Sequence, residues 1–323
     1  MQPRLVLIGT GGTIAATAGD ARTLTGYRVT QGIEAMLSAI PGVADIADIH
    51  CEQPFNVDSR NLNTAQVLRL ARTVNRHLRN PAVDAVVVTH GTDSLEETAF
   101  FLHLTTHSPK PVVLVGAMRP ASALSADGPL NLLNALLVAA DPGSRNRGVL
   151  VVMNDRILAA RHAAKRHTTR VDAFWTDGAG VLGAITDGQV RYALRPDLPD
   201  AAVFSLAGLR ALPPVDIILD YQDAPAHPYA AAIQAGARGI IVAAMGNGSL
   251  STAAARGCAQ AIRHGLVCVR ASRVPDGLVT DSQDDHGPLA AHALNPLQAR
   301  ITLRLALARG LDRTDIAGLL RRL

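Results

Sequence analysis

The sequence predicts an α/β fold in which a larger N-terminal domain holds a mostly parallel, doubly wound sheet and a smaller C-terminal α/β domain follows. Three observations support this prediction. Strand-like apolar runs alternate with helical patterns in both halves of the chain. A stretch with four prolines, residues 195–214, separates the two halves and is predicted to be the linker. The chain of 323 residues is also long for a single core. We therefore expect domains at 1–194 and 215–323.

The N-terminal domain is predicted to alternate buried strands with helices. Strands are expected at 5–8, 85–88, 112–115 and 149–152. Helices are expected at 64–78, 95–105 and 130–140, the first with apolar residues every three to four positions. Residues 181–192 differ, because two alternating runs flank Asp187-Gly188, which predicts a β-hairpin with a type I′ turn.

The C-terminal domain repeats the alternation on a smaller scale. Its strands are expected at 215–220, 239–244 and 266–270. Its helices are expected at 229–235, 252–264, 296–308 and 312–321. Strands separated by helices favour a second parallel sheet.

Composition excludes several classes of function. The net charge is +4, but the basic residues are scattered and aromatic residues make up only 3%, which argues against a nucleic-acid partner. We find no apolar run of about 18 residues, so no membrane partner is expected. A strand follows Met1 almost at once, without the charged segment, apolar segment and small-residue cleavage site of a signal peptide in order, which favours the cytoplasm unless a leader has already been removed. Cys51, Cys258 and Cys268 match no metal spacing and are expected to be buried, reduced thiols.

Two loops carry most of the functional information. They are Gly9-Thr10-Gly11-Gly12-Thr13 and Thr89-His90-Gly91-Thr92-Asp93. Each places a threonine just past a predicted parallel strand, at the edge of the sheet where ligands bind. Thr13 and Thr92 are therefore candidate nucleophiles, or else turn residues that cap backbone groups. A dinucleotide loop is the weaker alternative, because Ile14 stands where that pattern requires a third glycine.

A hydroxyl needs a base to become a nucleophile, and Lys165 is a candidate. Only Lys110 and Lys165 are lysines among 31 basic residues. Lys165 lies in a basic stretch, whose cations are expected to lower its pKa, unless it is an ordinary solvated cation. Tyr27 ends a glycine- and threonine-rich loop and is either a proton relay or an exposed loop residue.

Asp93 has two interpretations. With Glu96 three positions later it resembles a capping box for the helix at 95. Alternatively, its carboxylate binds the amino group of an amino-acid ligand.

Further polar groups are candidates for substrate binding. Ser59 and Arg60 offer a hydroxyl and a guanidinium to a carboxylate, unless this segment only precedes a helix capped by Asn61 or Asn63. The loop around Ala117 offers backbone groups, and Asn247 lies in an equivalent loop of the second half. The carboxylates of 281–286 form either a solvated loop or a weak cation site.

Several motifs occur in a fixed order from end to end. They are Thr10-Gly11-Gly12-Thr13-Ile14-Ala15, Thr89-His90-Gly91-Thr92-Asp93, Val115-Gly116-Ala117-Met118-Arg119-Pro120, Ser125-Ala126-Asp127-Gly128-Pro129, Met153-Asn154-Asp155 and Gly246-Asn247-Gly248. In these motifs the chain resembles the bacterial L-asparaginases of the asparaginase/glutaminase family. Arg60 departs from the glutamine of well-studied secreted members, and the cysteine pair of some periplasmic members is absent.

The resemblance implies roles for individual residues. Thr13 matches the nucleophile and Tyr27 a residue of the flexible lid. Thr92, Lys165 and Asp93 match a second catalytic set, and Asp93 also matches the contact to the substrate amino group. The other implied substrate contacts are Ser59, Arg60, Ala117 and Asn247, the last supplied by a neighbouring subunit. Asp284 is the nearest match to an acid from that subunit.

The resemblance also implies an activity. A threonine oxygen attacks the side-chain amide of L-asparagine, and an acyl-enzyme then releases L-aspartate after ammonia has left. No metal or organic cofactor is expected, and the implied assembly is a homotetramer built as a dimer of dimers. The alternatives are a broader glutaminase-asparaginase and, from a different class, a non-catalytic amino-acid sensor on the same scaffold.

Overall fold

The computed structural model describes residues 2–17, 19–20, 22, 28–176, 178–196 and 204–323. Backbone contacts divide the chain into two compact units, Met1–Leu198 and Pro199–Leu323. Among the described residues, none of the helices combines the length and the apolar character that crossing a bilayer requires.

The first unit contains one large sheet, two small ones and the helices that connect them. Its strands are β1 (Arg4–Gly9), β2 (Ala16–Thr17), β3 (Arg28–Val29), β4 (Asp48–Glu52), β5 (Ala85–Thr89), β6 (Val112–Val115), β7 (Val149–Met153), β8 (Arg156–Ala159), β9 (Ala163–Lys165), β10 (Phe174–Thr176), β11 (Gly183–Thr186) and β12 (Gln189–Tyr192). Its helices are α1 (Ile33–Ser38), α2 (Val43–Ile46), α3 (Thr64–Arg79), α4 (Leu95–Thr105) and α5 (Gly128–Ala140), with short 3₁₀ turns at Thr13–Ala15, Ser59–Asn61 and Pro142–Ser144.

The large sheet has the strand order β12-β11-β8-β7-β6-β5-β1-β4. The five neighbouring strands β7, β6, β5, β1 and β4 pair in parallel. At the other end of the sheet, β8, β11 and β12 each pair antiparallel with the strand beside them. Every residue of β5, β6 and β7 is buried, which explains their continuous apolar runs. The prediction of a mostly parallel sheet is confirmed.

The predicted strands and helices of this unit are present with ends that differ by two residues or fewer. The hairpin of β11 and β12 is also confirmed. Its two turn residues, Asp187 and Gly188, have φ values of 51° and 71°, as a type I′ turn requires.

The second unit is built on a four-stranded sheet of order β13-β14-β15-β16, in which all pairs are parallel. The strands are β13 (Val215–Leu219), β14 (Gly239–Ala244), β15 (Val267–Ser272) and β16 (Leu289–Ala290). The helices are α6 (His227–Gln234), α7 (Thr252–Arg263), α8 (Pro296–Ala308) and α9 (Arg313–Arg322). Cys258 and Cys268 are buried free thiols in its core, as predicted, whereas Cys51 in the first unit is free and half-buried.

Candidate functional site

The two threonine loops contact each other through glycines. They leave adjacent strands, since β1 pairs with β5 and Gly9 lies opposite Thr89. Gly12 has a φ of +85°, and an ideal Cβ placed on it would lie 2.2 Å from the Cα of Gly91. No side chain fits in that contact, so glycine is required there.

Thr13 and Thr92 each follow one of these two glycines directly. Both are buried, with exposed fractions of 6% and 4%. The Thr10 hydroxyl fastens the first loop to the second by donating to the Thr89 carbonyl oxygen at 2.7 Å. The predicted nucleophiles therefore lie beside a single contact at the carboxyl ends of β1 and β5.

Ser59 lies at the same contact. An ideal Cβ on Gly91 would be 2.5 Å from the Ser59 hydroxyl oxygen, so the serine packs directly against that glycine. Its carbonyl accepts a 2.8 Å hydrogen bond from the Ser94 hydroxyl. Ser59 is buried, and its 3₁₀ turn is capped by the preceding Asp58, whose carboxylate accepts a hydrogen bond from the Arg60 amide.

Arg60 occupies a different environment from its neighbour Ser59. Its side chain is 70% exposed, and its guanidinium pairs with the Asp58 carboxylate at 3.0 Å. The predicted fork of serine and arginine is thus split into a buried hydroxyl and a solvent-exposed cation held by an acid.

Lys165 reaches the second loop from the end of β9. Its Nζ donates to the Thr92 hydroxyl at 3.0 Å and to the Asp93 carboxylate at 2.6 Å. Its backbone amide donates to the Glu96 carboxylate at 2.6 Å. The lysine side chain is only 18% exposed, so the interpretation as an ordinary solvated cation is wrong. Although the surrounding sequence is basic, the groups that hold Lys165 are a hydroxyl and two acids.

The capping-box interpretation of Asp93 and Glu96 is also wrong. The residue before α4 is Ser94, and its side chain accepts no capping hydrogen bond from the first turn of that helix. Both carboxylates bind Lys165 instead, because the β9–β10 hairpin brings the lysine over the start of α4. At the preceding helix, the predicted cap by Asn61 or Asn63 is confirmed for Asn63. Asn63 caps α3 through a pair of reciprocal side-chain-to-backbone hydrogen bonds with Gln66.

Glu96 is a supporting residue whose role the sequence did not reveal. Burial raises its pKa, while the hydrogen bond from the Lys165 amide and the positive charges of Arg166 and Lys165 oppose that shift. The acid holds the strand end that carries the lysine. It therefore positions Lys165 through the backbone.

His90 is a second supporting residue that the sequence did not reveal. It is completely buried, and one ring nitrogen, Nδ1, lies 2.7 Å from the Gly91 carbonyl oxygen, which requires that nitrogen to donate. Burial lowers its pKa to about 4, so the ring is neutral at pH 7. The ring thus holds the Gly91 backbone through its carbonyl oxygen without adding a charge.

The loop after β6 closes the site on a third side. Met118 and Arg119 donate their amides to the Asp127 carboxylate at 3.0 and 2.9 Å, which shapes the loop around the buried Ala117. An ideal Cβ on the preceding Gly116 would be 3.0 Å from the Thr92 methyl group. The backbone beside Ala117 therefore lies against the second threonine. Tyr27 lies outside the described residues.

Two predicted site residues belong to the second unit. Asn247 is exposed in the turn after β14, where its side chain donates to the Thr280 hydroxyl at 2.9 Å and accepts the Thr280 amide at 2.8 Å. Asp284 is exposed in the 281–286 loop and accepts the His286 amide at 3.0 Å. Within the described part of the chain no three His, Cys, Asp or Glu side chains cluster as a metal site would.

Comparison with known proteins identifies the family. Residues 4–198 match the family model described as asparaginase, N-terminal, and residues 214–320 match the glutaminase/asparaginase C-terminal domain. The chain is 44% identical to L-asparaginase 2 of Bacillus subtilis, over 96% of this chain and 84% of that protein. It is 42% identical to L-asparaginase 2 of Escherichia coli, over 97% of this chain and 91% of that protein.

A solved structure agrees with these relatives. The crystal structure of a probable cytoplasmic L-asparaginase from Campylobacter jejuni superposes with a TM-score of 0.96 at 40% sequence identity, covering 100% of both chains. The two family models together span nearly the whole sequence. The chain therefore belongs to the asparaginase family.

Proposed function

We propose that this protein hydrolyses L-asparagine to L-aspartate and ammonia, with a threonine as the nucleophile. The observation that carries the proposal is the contact of the Lys165 amine with Thr92 and Asp93, beside the Gly12–Gly91 contact. A hydroxyl, an amine and a carboxylate in hydrogen-bond reach form the unit that nucleophilic catalysis requires. Membership of the asparaginase family supports the choice of substrate.

In the first step, the Thr13 oxygen attacks the side-chain amide carbonyl of the substrate. The hydroxyl proton passes to Tyr27 or to Lys165, the two candidate acceptors. Backbone N–H groups near Thr92 and Ala117 stabilise the oxyanion that forms. The carbon–nitrogen bond then breaks, the acceptor gives the proton it took from Thr13 to the amide nitrogen, ammonia leaves, and an ester to Thr13 remains.

In the second step, water hydrolyses the ester and releases aspartate. The Lys165 amine, in its deprotonated form and held by Thr92 and Asp93, takes a proton from the attacking water and returns it to the Thr13 oxygen as the ester C–O bond breaks. The ion pair of 2.6 Å between the lysine and Asp93 is the arrangement that stabilises the resulting ammonium.

Substrate binding is assigned to groups around this centre. The Ser59 hydroxyl and the backbone at Ala117 lie against the threonine loops, and we assign them to the substrate's polar groups. The Asp93 side chain is 50% exposed, which leaves its carboxylate room for the substrate amino group as well as for Lys165. Arg60 forms the charged rim.

We further propose that the protein works as a homotetramer, a dimer of dimers, in the cytoplasm. Asn247 is exposed on a turn and Asp284 on a loop, so both are available to a neighbouring subunit's site. The name of the Campylobacter jejuni relative supports the location.

A broader glutaminase-asparaginase is the second candidate, favoured by the match of residues 214–320 to a domain described for both activities. An ammonia-release assay with asparagine and glutamine separates the two. We expect turnover of asparagine, with a kcat/KM at least roughly tenfold above that for glutamine, a discrimination that one extra methylene provides. Equal values for both amides would favour the second candidate. A saturating calorimetric isotherm with no ammonia would instead identify a sensor.

A further inference from the structure

Arg270 of β15 connects two loops at the carboxyl end of the small sheet. One guanidinium nitrogen, Nη1, donates to the Asn247 carbonyl oxygen at 3.4 Å, and the other, Nη2, donates to the Thr280 carbonyl oxygen at 2.5 Å. The side chain of Asn247 binds Thr280 in turn, through one hydrogen bond in each direction. The arginine and the asparagine thus close a ring of contacts between the 245–249 turn and residue 280.

This arginine is buried to a degree that is rare for a cation. Only 9% of it is exposed, and a buried charge is tolerated only where hydrogen bonds replace the lost water. Here two backbone carbonyls accept hydrogen bonds from the guanidinium in place of water. Burial lowers the pKa of Arg270, and the negative charge of nearby Asp281 opposes that shift. The planar, two-pronged guanidinium matches two carbonyls at once, whereas an ammonium offers only a point charge.

The turn is shaped to admit the guanidinium. Gly248 has a φ of +76°, and an ideal Cβ on it would lie 2.7 Å from Nη1 of Arg270 and 2.6 Å from a methyl group of Val279. A side chain at this position would displace the arginine. The residue beside Asn247 is thus a glycine because Arg270 occupies the adjacent space.

We infer that Arg270 is a positioning residue for the proposed reaction, which acts by fixing the Asn247 turn in the orientation that binds substrate. The inference rests on the proposed function, in which Asn247 contacts the substrate. Because a turn that loses this anchor presents Asn247 out of place, the loss falls on substrate binding. A displacement of about 1 Å lowers the rate roughly a hundredfold where it misplaces the reacting groups. Asn247 is a binding contact, so we expect its displacement to raise KM by roughly tenfold instead.

The test is a double-mutant cycle in asparagine hydrolysis by the full-length protein. Arg270→Met is expected to raise KM roughly tenfold with a much smaller change in kcat, and Arg270→Lys to restore only part of the loss. In an Asn247→Ala background, Arg270→Met should change KM little further, because the residue through which it acts is gone. A merely structural arginine would instead give the same factor in both backgrounds, which would overturn the inference.

Arg300 of α8 provides the matched control, because its guanidinium also donates to a carbonyl of this unit, that of Val215, at the opposite end of the sheet. Arg300→Met should leave KM unchanged, and an equal rise would overturn the inference. Thr280→Val keeps Arg270 and removes only the hydroxyl partner of Asn247, so it tests the ring of contacts if Arg270→Met fails to fold. This variant should raise KM by less than Arg270→Met does. An unchanged KM would contradict the inference. Failure of the parent protein to hydrolyse asparagine would instead reject the proposed function.

Discussion

The Lys165 amine donates a 3.0 Å hydrogen bond to the Thr92 hydroxyl. The two residues are separated by 73 positions in sequence, and the β9–β10 hairpin brings them together. The same amine holds Asp93 at 2.6 Å, so one side chain connects a hydroxyl with a carboxylate.

Replacement of Lys165 by methionine should abolish most of the activity. The variant keeps the volume of the side chain but loses the amine, so ammonia release is expected to fall by roughly 10²–10⁴-fold, the usual contribution of a general base. Lys110→Met is the matched control, since the Lys110 amine donates to the Asn80 carbonyl oxygen. Parental activity in folded Lys165→Met would remove the lysine from the mechanism.

Arg60→Gln should have a small effect on catalysis. The guanidinium is exposed and paired with Asp58, and an exposed ion pair contributes at most about 1 kcal/mol to stability. Even if all of that energy were lost from the transition state, the rate would change only roughly fivefold. Steady-state kinetics with asparagine and glutamine measure the effect on both substrates. A change of more than tenfold in the ratio of the two kcat/KM values would mean that Arg60 touches the substrate.

His90 should make the protein less stable in acid. Its pKa in the folded state is about 4, below the value of about 6.5 for an unfolded chain, so the unfolded state binds the proton first as pH falls. The stabilisation is complete above pH 6.5 and is lost toward pH 4, with a loss of roughly 2 kcal/mol by pH 5.

Urea unfolding of the parent and of His90→Asn at pH 7.5 and pH 5 measures this contribution. The free energy of unfolding should fall less in the variant than in the parent. Some acid sensitivity remains in both, because burial and the charge of Arg161 also lower the pKa of His103 to about 4. Identical losses in the two proteins would contradict the assignment.

Gly12→Ala should damage both stability and activity. The new methyl group would lie 2.2 Å from the Gly91 Cα, on a backbone with a φ of +85°. The two loops must separate to admit it, which is expected to cost about 2 kcal/mol or more. Thermal unfolding and ammonia release report the two effects. Gly32→Ala is the control, because its Cβ meets the nearest atom, Oε1 of Gln53, at an ordinary 3.5 Å.

Complementation between subunits tests the proposed shared site. Thr13→Ala should lack the nucleophile, and Asn247→Ala should lack the residue offered to a neighbour. Random assembly of the two in symmetric dimers leaves about a quarter of the sites with both residues intact. Compared with a mixture of the separately made variants, the co-expressed variants should therefore gain activity. The gain should equal about a quarter of the difference between the parental rate and the rate of Asn247→Ala. No gain over the separate variants would place Asn247 and Thr13 in the same subunit's site, or Asn247 outside it.

The strands and the two threonine loops could be predicted because their signals are local. An apolar run bounded by glycine and threonine identifies a buried strand and its end, as at β1 and β5. The structure adds that β1 and β5 are adjacent, and their neighbouring carboxyl ends bring the two threonine loops together.

The partners of Asp93 and Arg270 could not be predicted, because their contacts are distant in sequence. The spacing of Asp93 and Glu96 fits a helix cap as well as an ion pair, and only the position of Lys165 distinguishes them. Arg270 interrupts an apolar strand, and nothing near it in sequence indicates that its guanidinium binds residues 247 and 280. Lys165 was identified by the rarity of lysine, but the basic surroundings that suggested its role are not its contacts.

Ammonia release from asparagine by Thr13→Ala and Thr92→Ala, each shown to unfold at the parental temperature, tests the central claim most directly. Both hydroxyls are buried beside the same loop contact, and the proposed mechanism uses one in each step. We expect both variants to lose at least roughly a hundredfold in rate, the minimum for removing a nucleophile or its proton-transfer partner. Parental rates in both would show that threonine chemistry at this site does not hydrolyse the amide.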